Sequence, residues 1–228
     1  MEKDKDLTSS SSSEWDESAH PRDEDGKFTD KDFGEQVDAV LSGADTTSTH
    51  LKVMETPKIL QDVGLPDLPI LMTAKHLRSI TQDSGDDKMN YHGLGVETVK
   101  KLPELLSNPV MVMDSLTRED SIVVVTECMD KENRPIIAAV MLNGIGNYGN
   151  EEISANILTS TYGRNNFNDF IQRNLDQETV LYVDKEKSQE LFKTPGLQLP
   201  SNLEHLDSNA IIRKSTAFVN SFQKKSSN

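Results

Sequence analysis

Hydrophobic residues along the chain first follow a helical spacing and later a strand-like one. Ala74, Leu77 and Ile80 lie three residues apart and predict an amphipathic helix over "TAKHLRSITQD". "GVETVKKLPELLSN" repeats this pattern, and Pro103 is expected to bend or interrupt its helix. "PVMVMDS", "DSIVVVTECMD" and "RPIIAAVMLN" are rich in β-branched residues and predict consecutive antiparallel strands. Helices followed by a meander of strands predict an α+β fold rather than alternating α/β units.

Shorter elements precede and follow this central part. "HLKVMET" predicts a strand and "TPKILQDVG" a short helix that ends at Gly64. "GLPDLPILMT" is predicted to be extended, and its two prolines argue against a strand in the centre of a sheet. The chain then predicts a helix around "NNFNDFIQRNLDQ", a strand "TVLYVDK", a helix "KSQELFK" and a closing strand "SNAIIRKST".

Composition divides the chain into three parts. Residues 1–48 are acidic and rich in serine, so we expect a disordered tail and linker, in which "EQVDAVLSG" predicts a short helix. Residues 49–217 form the predicted α+β domain, and residues 218–228 a short basic tail. Of the net charge of -14, residues 1–50 contribute -9, from 14 acidic and 5 basic residues. The acidity therefore lies mainly outside the predicted domain.

Several classes of site lack their usual sequence signals. The single Cys128 cannot form an internal disulfide or a thiolate zinc site, which fits a reducing compartment. No secretory signal pattern opens the chain, and the longest apolar run, "IIAAVML", is too short for a membrane helix of about 20 residues. G-x-S-x-G, P-loop lysine and H-E-x-x-H motifs are absent. We predict neither a bound metal nor a cofactor.

One glycine-rich stretch, "GIGNYG" at residues 144–149, allows two interpretations. It matches G-x-G-x-x-G after a predicted strand, as a dinucleotide-binding loop would. Its glycines and asparagines are also the residues that tight hairpins use. The preceding strand already has sequence neighbours with which to pair, so we favour the hairpin.

The stretch "LDSNAIIRKST" ends in cationic and hydroxyl side chains. In a strand, Arg213 and Ser215 share one face, while Lys214 points to the other. This pattern fits an edge strand whose charges discourage aggregation, and it also fits a small anion site. Residues 213–228 contain four basic residues and no acidic one, so the end of the chain is locally cationic.

Two of the five histidines are placed where they could transfer protons. His76 is early in the first predicted helix and His92 stands just before the second, beside a glycine. A neutral imidazole can take a proton near pH 7, and a second group can return it. The others, His20, His50 and His205, are interpreted as surface residues.

Six segments that cover roughly residues 50–216 together form a recognisable pattern: "LPDLPILMTAKHLRSI", "YHGLGVETVKKLPELLSNPVMVMDS", "SIVVVTECMDKENRPIIAAVMLNG", "ILTSTYG", "VLYVDKEKSQELF" and "LDSNAIIRKS". In this order they resemble the C-terminal modules of phage and prophage MuF-type head proteins. Those modules are assigned to the barnase, EndoU, colicin and RelE-like nuclease group. The resemblance implies N-terminal helices packed on a mainly antiparallel sheet of about four to five strands, with the active site on an exposed sheet face.

The resemblance also implies metal-independent RNA cleavage by attack of the ribose 2'-hydroxyl on the adjacent phosphate. Such chemistry needs a base, an acid and donors for the developing negative charge. His92 is the first candidate for acid or base and His76 the second, with Arg213 and Ser215 facing the phosphate. Candidate substrate-binding residues are Asp114, Ser115, Ser160, Tyr162, Asn209 and Lys214. Asp114 is more simply explained as a turn-starting residue, and Asn209 is equally explained as a partner for a buried backbone group.

The expected function is therefore an endoribonuclease of the phage or prophage toxin type. It would act on RNA, with tRNA among the targets, in a bacterial cytoplasm, and would be delivered with or packaged in a phage virion. An immunity protein and phage head proteins are expected partners. The alternatives are an inactive nuclease-fold module that binds RNA or protein, a head-associated structural or ejected protein, and a nucleotide-dependent transferase that uses "GIGNYG".

Overall fold

The computed structural model describes residues 32–82, 93–149, 151–204 and 209–217. Its helices are α1 (Phe33–Ser42), α2 (Lys58–Asp62), α3 (Ala74–Thr81), α4 (Val96–Lys100), α5 (Leu102–Ser107), α6 (Phe167–Asp176), α7 (Lys185–Leu191) and α8 (Ser201–Glu204). Its strands are β1 (His50–Glu55), β2 (Pro69–Thr73), β3 (Met111–Asp114), β4 (Ser121–Met129), β5 (Pro135–Tyr148), β6 (Glu151–Gly163), β7 (Val180–Val183) and β8 (Ala210–Ile211). As predicted, the helix containing Pro103 is interrupted, because α4 ends at Lys100 and α5 starts at Leu102.

The described strands form one mixed sheet in the order β1-β2-β6-β5-β4-β3-β7-β8. The pairing is antiparallel throughout except between β2 and β6, which are parallel. The α+β class is therefore confirmed. The described part of the sheet has eight strands where the resemblance implies about four to five, because the meander β3–β6 is extended on both sides, by β1 and β2 at one edge and by β7 and β8 at the other.

Strand β2 corrects the prediction that "GLPDLPILMT" avoids the centre of a sheet. It lies between β1 and β6, and Ile70, Leu71 and Met72 are fully buried. Pro69 is tolerated because it is the first residue of the strand, where its missing N–H interrupts little of the ladder. Pro66 precedes the strand altogether.

Alternation of side chains gives the sheet two faces with different coverings. The first face packs against α1–α5 and contributes Val112, Val124, Ala138 and Leu158 to the main core. On the second face, Met111, Met113, Val125 and Ile137 pack against α6 and α7, including Phe167, Phe170 and Leu191. On β6, the second-face cluster extends only to the partly buried Tyr162. Helices α6 and α7 therefore cover the β3, β4 and β7 half of this face.

The "GIGNYG" stretch is the end of a long β5–β6 hairpin, so the hairpin interpretation is confirmed. Strand β5 continues to Tyr148 and β6 begins at Glu151, with Gly149 in a left-handed conformation between them. A Cβ atom on Gly146 would lie 2.6 Å from Cδ1 of Leu71, so the glycine lets the hairpin approach β2 closely. The glycines therefore serve packing between strands.

Helix α1 packs on the same core as the sheet. Its Phe33, Val37 and Val40 are buried, and the compact unit begins at Phe33. The Gln36 side chain donates to the carbonyl of Lys52 at 3.1 Å and accepts from the Lys52 N–H at 3.0 Å. These two hydrogen bonds occupy backbone groups along the outer edge of β1, which protects that edge from pairing with another chain. The predicted tail within residues 1–31 lies outside the described residues.

Only part of the predicted closing strand is a strand. Ala210 and Ile211 pair with β7, after which Ile212 N–H donates to the carbonyl of Leu181 and Ser215 N–H to that of Val63. The chain therefore leaves the sheet edge and crosses to the end of α2, where Ala217 is buried. Among the described helices, none combines the length and apolar composition needed to span a bilayer.

Candidate functional site

Three predicted site residues meet at the end of β3 and form what we call the Asp114 cluster: Asp114, Arg213 and Ser215. One carboxylate oxygen of Asp114 accepts from Nη2 of Arg213 at 2.7 Å, and the other accepts from the Ser215 hydroxyl. The Asp114 side chain is 14% exposed and that of Arg213 is 34% exposed. Arg213 and Ser215 therefore lie on one side of the chain, although the strand whose alternation predicted this ends at Ile211.

The donors of the Asp114 cluster are directed toward the chain itself. Arg213 also donates from Nε to the carbonyl of Glu178 at 2.8 Å and from Nη1 to that of Lys214 at 3.2 Å. Ser215 Oγ additionally accepts the N–H of Ala217 at 3.0 Å. This arrangement fastens the C-terminal segment across the sheet edge. Phosphate binding by Arg213 and Ser215 stays a prediction.

Other predicted residues have local structural partners. Ser115 Oγ accepts the N–H of Arg118 at 3.2 Å and stabilises the β3–β4 turn. Asn209 accepts the N–H of Lys185 at 2.9 Å and donates to Asp184 at 3.2 Å, which ties the segment before β8 to the start of α7. Lys214 is exposed. His92, the first candidate for acid or base, lies outside the described residues.

His76 is placed away from the Asp114 cluster. It lies in the first turn of α3, which Thr73 caps, and its Nε2 is 3.5 Å from Oγ1 of the buried Thr161 on β6. Strands β6 and β3 are three positions apart in the sheet, a distance of about 14 Å at ~4.8 Å per strand. The structure therefore does not bring His76 and Arg213 together around a single phosphate.

Part of the second face is only partly covered by α6 and α7, and we call it the open patch: Ala139 and Met141 on β5, with Ser160 and Tyr162 on β6. Ala139 lies opposite Ser160, and Ile137 lies opposite Tyr162. All four residues of the patch are half-buried, whereas the neighbouring Ile137 is covered. Two predicted substrate-binding residues, Ser160 and Tyr162, therefore share one accessible sheet surface. Thr161, which contacts His76, points to the opposite face.

An arginine stands at each end of the open patch. Arg118, 47% exposed, donates to the Met141 sulfur at 3.2 Å and to Asp120 at 3.4 Å. At the other end, Arg164 Nη1 donates to the Tyr162 hydroxyl at 3.4 Å. Arg164 was missed at the level of sequence, although residues 160, 162 and 164 continue one strand face and the spacing could have indicated it.

On the first face of the sheet, the charged side chains near Arg164 are already paired with one another. Asp130 accepts from Arg134 Nε at 2.6 Å and from the backbone N–H groups of Glu132 and Arg134 at 2.9 Å. Burial alone would raise the pKa of Asp130, but these hydrogen bonds and the Arg134 charge outweigh it and lower that pKa. Asp130 is therefore an ionised structural residue of the β4–β5 turn. No group of three or more histidine, cysteine or acidic side chains within the described ranges is arranged to hold a metal ion.

Comparison with known families gives one match. The model of the phage MuF C-terminal domain matches residues 83–190, so this part of the chain is similar to that domain. The matched range includes Asp114 and the whole open patch with both flanking arginines, but neither His76 nor Arg213. No curated protein and no solved structure matches the chain.

Proposed function

We propose that the chain is a phage-associated endoribonuclease domain that holds single-stranded RNA on the open patch. The observation that carries the proposal is the accessible sheet face with hydroxyl groups in the middle and an arginine at each end. Cationic and hydrogen-bonding groups are what phosphate contacts require, and single-stranded RNA is recognised along open surfaces with aromatic side chains. The similarity of residues 83–190 to a phage MuF C-terminal domain supports the phage context.

Cleavage would follow the reaction that the resemblance implies. A base takes the proton of the ribose 2'-hydroxyl, the oxygen attacks the adjacent phosphorus, and an acid protonates the departing 5'-oxygen. His92 is the proposed acid or base, whereas His76, which contacts Thr161 on the opposite face of the sheet, is not assigned a role at the open patch. Arg164 and Tyr162 would stabilise the negative charge that develops on the phosphate. Ser160 would position the ribose-phosphate backbone.

The test is cleavage of total bacterial RNA in EDTA, because the proposed chemistry needs no metal. The wild-type chain should produce defined fragments, and His92→Ala should lose at least tenfold in rate, since acid–base catalysis typically contributes about 10²–10⁴-fold. Arg173→Ala, which removes an exposed arginine of α6, is the matched control. Intact RNA with every variant, at low salt and with folding verified by circular dichroism, would contradict the proposal.

A second candidate is a head-associated module that binds protein and does not cleave RNA. Two observations favour it: residues 51–228 carry 24 acidic and 19 basic residues, and Arg213 and Ser215 are directed to Asp114 rather than outward. A chain that leaves RNA intact, shows no binding to a labelled oligonucleotide at low salt, and copurifies with phage head proteins would support this candidate.

A further inference from the structure

Arg164 is held in an unusual environment for a cationic side chain. Its backbone N–H donates to the carbonyl of Pro135 at 2.8 Å, immediately after β6. Its guanidinium carbon lies 4.8 Å from the centre of the Phe170 ring on α6, a cation–π arrangement. Phe170 is itself only 8% exposed and packs beside Phe167. The guanidinium group therefore packs over a buried ring.

The charge of Arg164 has no acidic partner in the part of the chain that the structure describes. Arg134 contacts Asp130 and Glu132, and Arg213 contacts Asp114, but no described carboxylate lies within ion-pair distance of Arg164. Its Nε is buried without an acceptor, and Nη1 has only the weak contact with Tyr162. A buried donor without an acceptor is rare in native proteins, and a half-buried charge without a counterion is costly.

We propose that Arg164, packed over the ring of Phe170, is a phosphate-binding residue. The ligand would be a phosphate group of an RNA strand lying along β6. This identity rests on the proposed function, whereas the need for an anion rests on the geometry of Arg164 alone. Binding at the Nη groups would supply the missing negative charge, and Ser160, about 13 Å along the same face at ~3.3 Å per residue, would meet a neighbouring part of the strand.

The first experiment uses inorganic phosphate as the probe, so that it does not depend on RNA. A buried Nε–H exchanges slowly with water, so the Arg164 Hε signal should be visible by NMR, and Arg164→Lys identifies it by its loss. Titration with phosphate should shift this signal and leave that of Arg173 in place. Absence of any shift, together with unchanged RNA affinity in the variants below, would overturn the proposal.

The second experiment measures binding of a labelled single-stranded RNA as a function of salt. Arg164→Gln should weaken binding about tenfold and lower the slope of log K against log salt by about 0.7, the value for one phosphate contact on a single strand. Arg164→Lys keeps the charge but loses the planar guanidinium group and its packing over the ring. It should therefore bind RNA more tightly than Arg164→Gln but more weakly than wild type. Arg173→Gln, the matched control, should bind like wild type.

The outcomes separate this inference from the proposed function. If wild type binds RNA and Arg164→Gln binds it equally well, with the same salt slope, the role of Arg164 is refuted and the proposed function still stands. Wild type that binds no RNA, but shows a phosphate shift at Arg164 Hε, supports an anion site and refutes RNA as its ligand. Thermal unfolding of each variant shows whether a change in RNA binding is merely due to loss of the fold. If Arg164→Gln does not fold, the comparison with wild type is made with Arg164→Lys.

Discussion

Replacing Asp114 by alanine should loosen the C-terminal segment and destabilise the whole domain. The substitution removes the acceptor for Arg213 and Ser215 at once and leaves a partly buried guanidinium without its counterion. Asp114→Asn keeps the shape and one acceptor oxygen but removes the charge. The two variants therefore separate the ion pair from the hydrogen bonds.

The size of the effect follows from the exposure of the pair. Exposed ion pairs contribute about 0–1 kcal/mol, whereas removing one partner of a fully buried pair costs about 3–5 kcal/mol. With Asp114 14% and Arg213 34% exposed, the cost for Asp114→Ala should lie between these limits, at about 2–3 kcal/mol. Asp114→Asn should cost about half as much, since the amide can still pair with both neighbours.

Urea unfolding followed by circular dichroism measures the cost, and thermal unfolding should show a fall in Tm of about 4–12 °C for a domain of this size. Hydrogen exchange should also show faster exchange at the N–H groups of Ile212 and Ser215, which hold the segment to Leu181 and Val63. Asp62→Ala, which breaks the exposed pair with Lys58, is the control and should cost less than about 1 kcal/mol. If Asp114→Ala and Asp62→Ala unfold at the same urea concentration, the structural role assigned to the Asp114 cluster is refuted.

Three further predictions concern other parts of the domain. Gly163→Ala should destabilise the fold by about 1–3 kcal/mol in urea unfolding, because its Cβ would lie 1.9 Å from Oδ2 of Asp130, which hydrogen bonds hold in place. An unchanged urea midpoint of unfolding would contradict this and show that Asp130 can move. Burial lowers the pKa of His50 in the folded protein below its value in the unfolded chain. The stability that neutral His50 contributes is therefore present at neutral pH and is lost as the pH falls through the folded pKa. Wild type should therefore lose more stability than His50→Gln between pH 7 and pH 5, and parallel losses would contradict this reasoning. Thr73→Ala removes the cap of α3 and should cost about 1 kcal/mol by thermal or urea unfolding, whereas Thr73→Ser should restore most of it.

Local patterns identified the elements because the information for them lies within a few residues. Ala74, Leu77 and Ile80 are buried on one face of α3, as their spacing predicts. Strand β2 shows where this reasoning failed. Its local composition contains prolines, but its place in the sheet depends on pairing with Ile157 and Leu158, almost ninety residues later.

The candidate site shows the same division. Alternation predicted Arg213 and Ser215 on one side of the chain, but nothing nearby in sequence indicates that Asp114, ninety-nine residues before Arg213, accepts from both. The spacing of residues 160, 162 and 164 could have placed Arg164 on the patch, but its distinctive feature is its surroundings: a ring from α6 beneath it and no described carboxylate beside it. Neither observation is a property of residues 160–164 alone.

The sequence by itself determined the α+β class, the hairpin at "GIGNYG", and most of the described helices and strands. These follow from side-chain periodicity and backbone preferences, which act over one or two turns of chain. Only the tertiary structure decided the order of the eight described strands, the half-covered second face, and which cations have acidic partners. Pairing, burial and charge neutralisation depend on residues that are distant in sequence, so they exist only once the chain has folded.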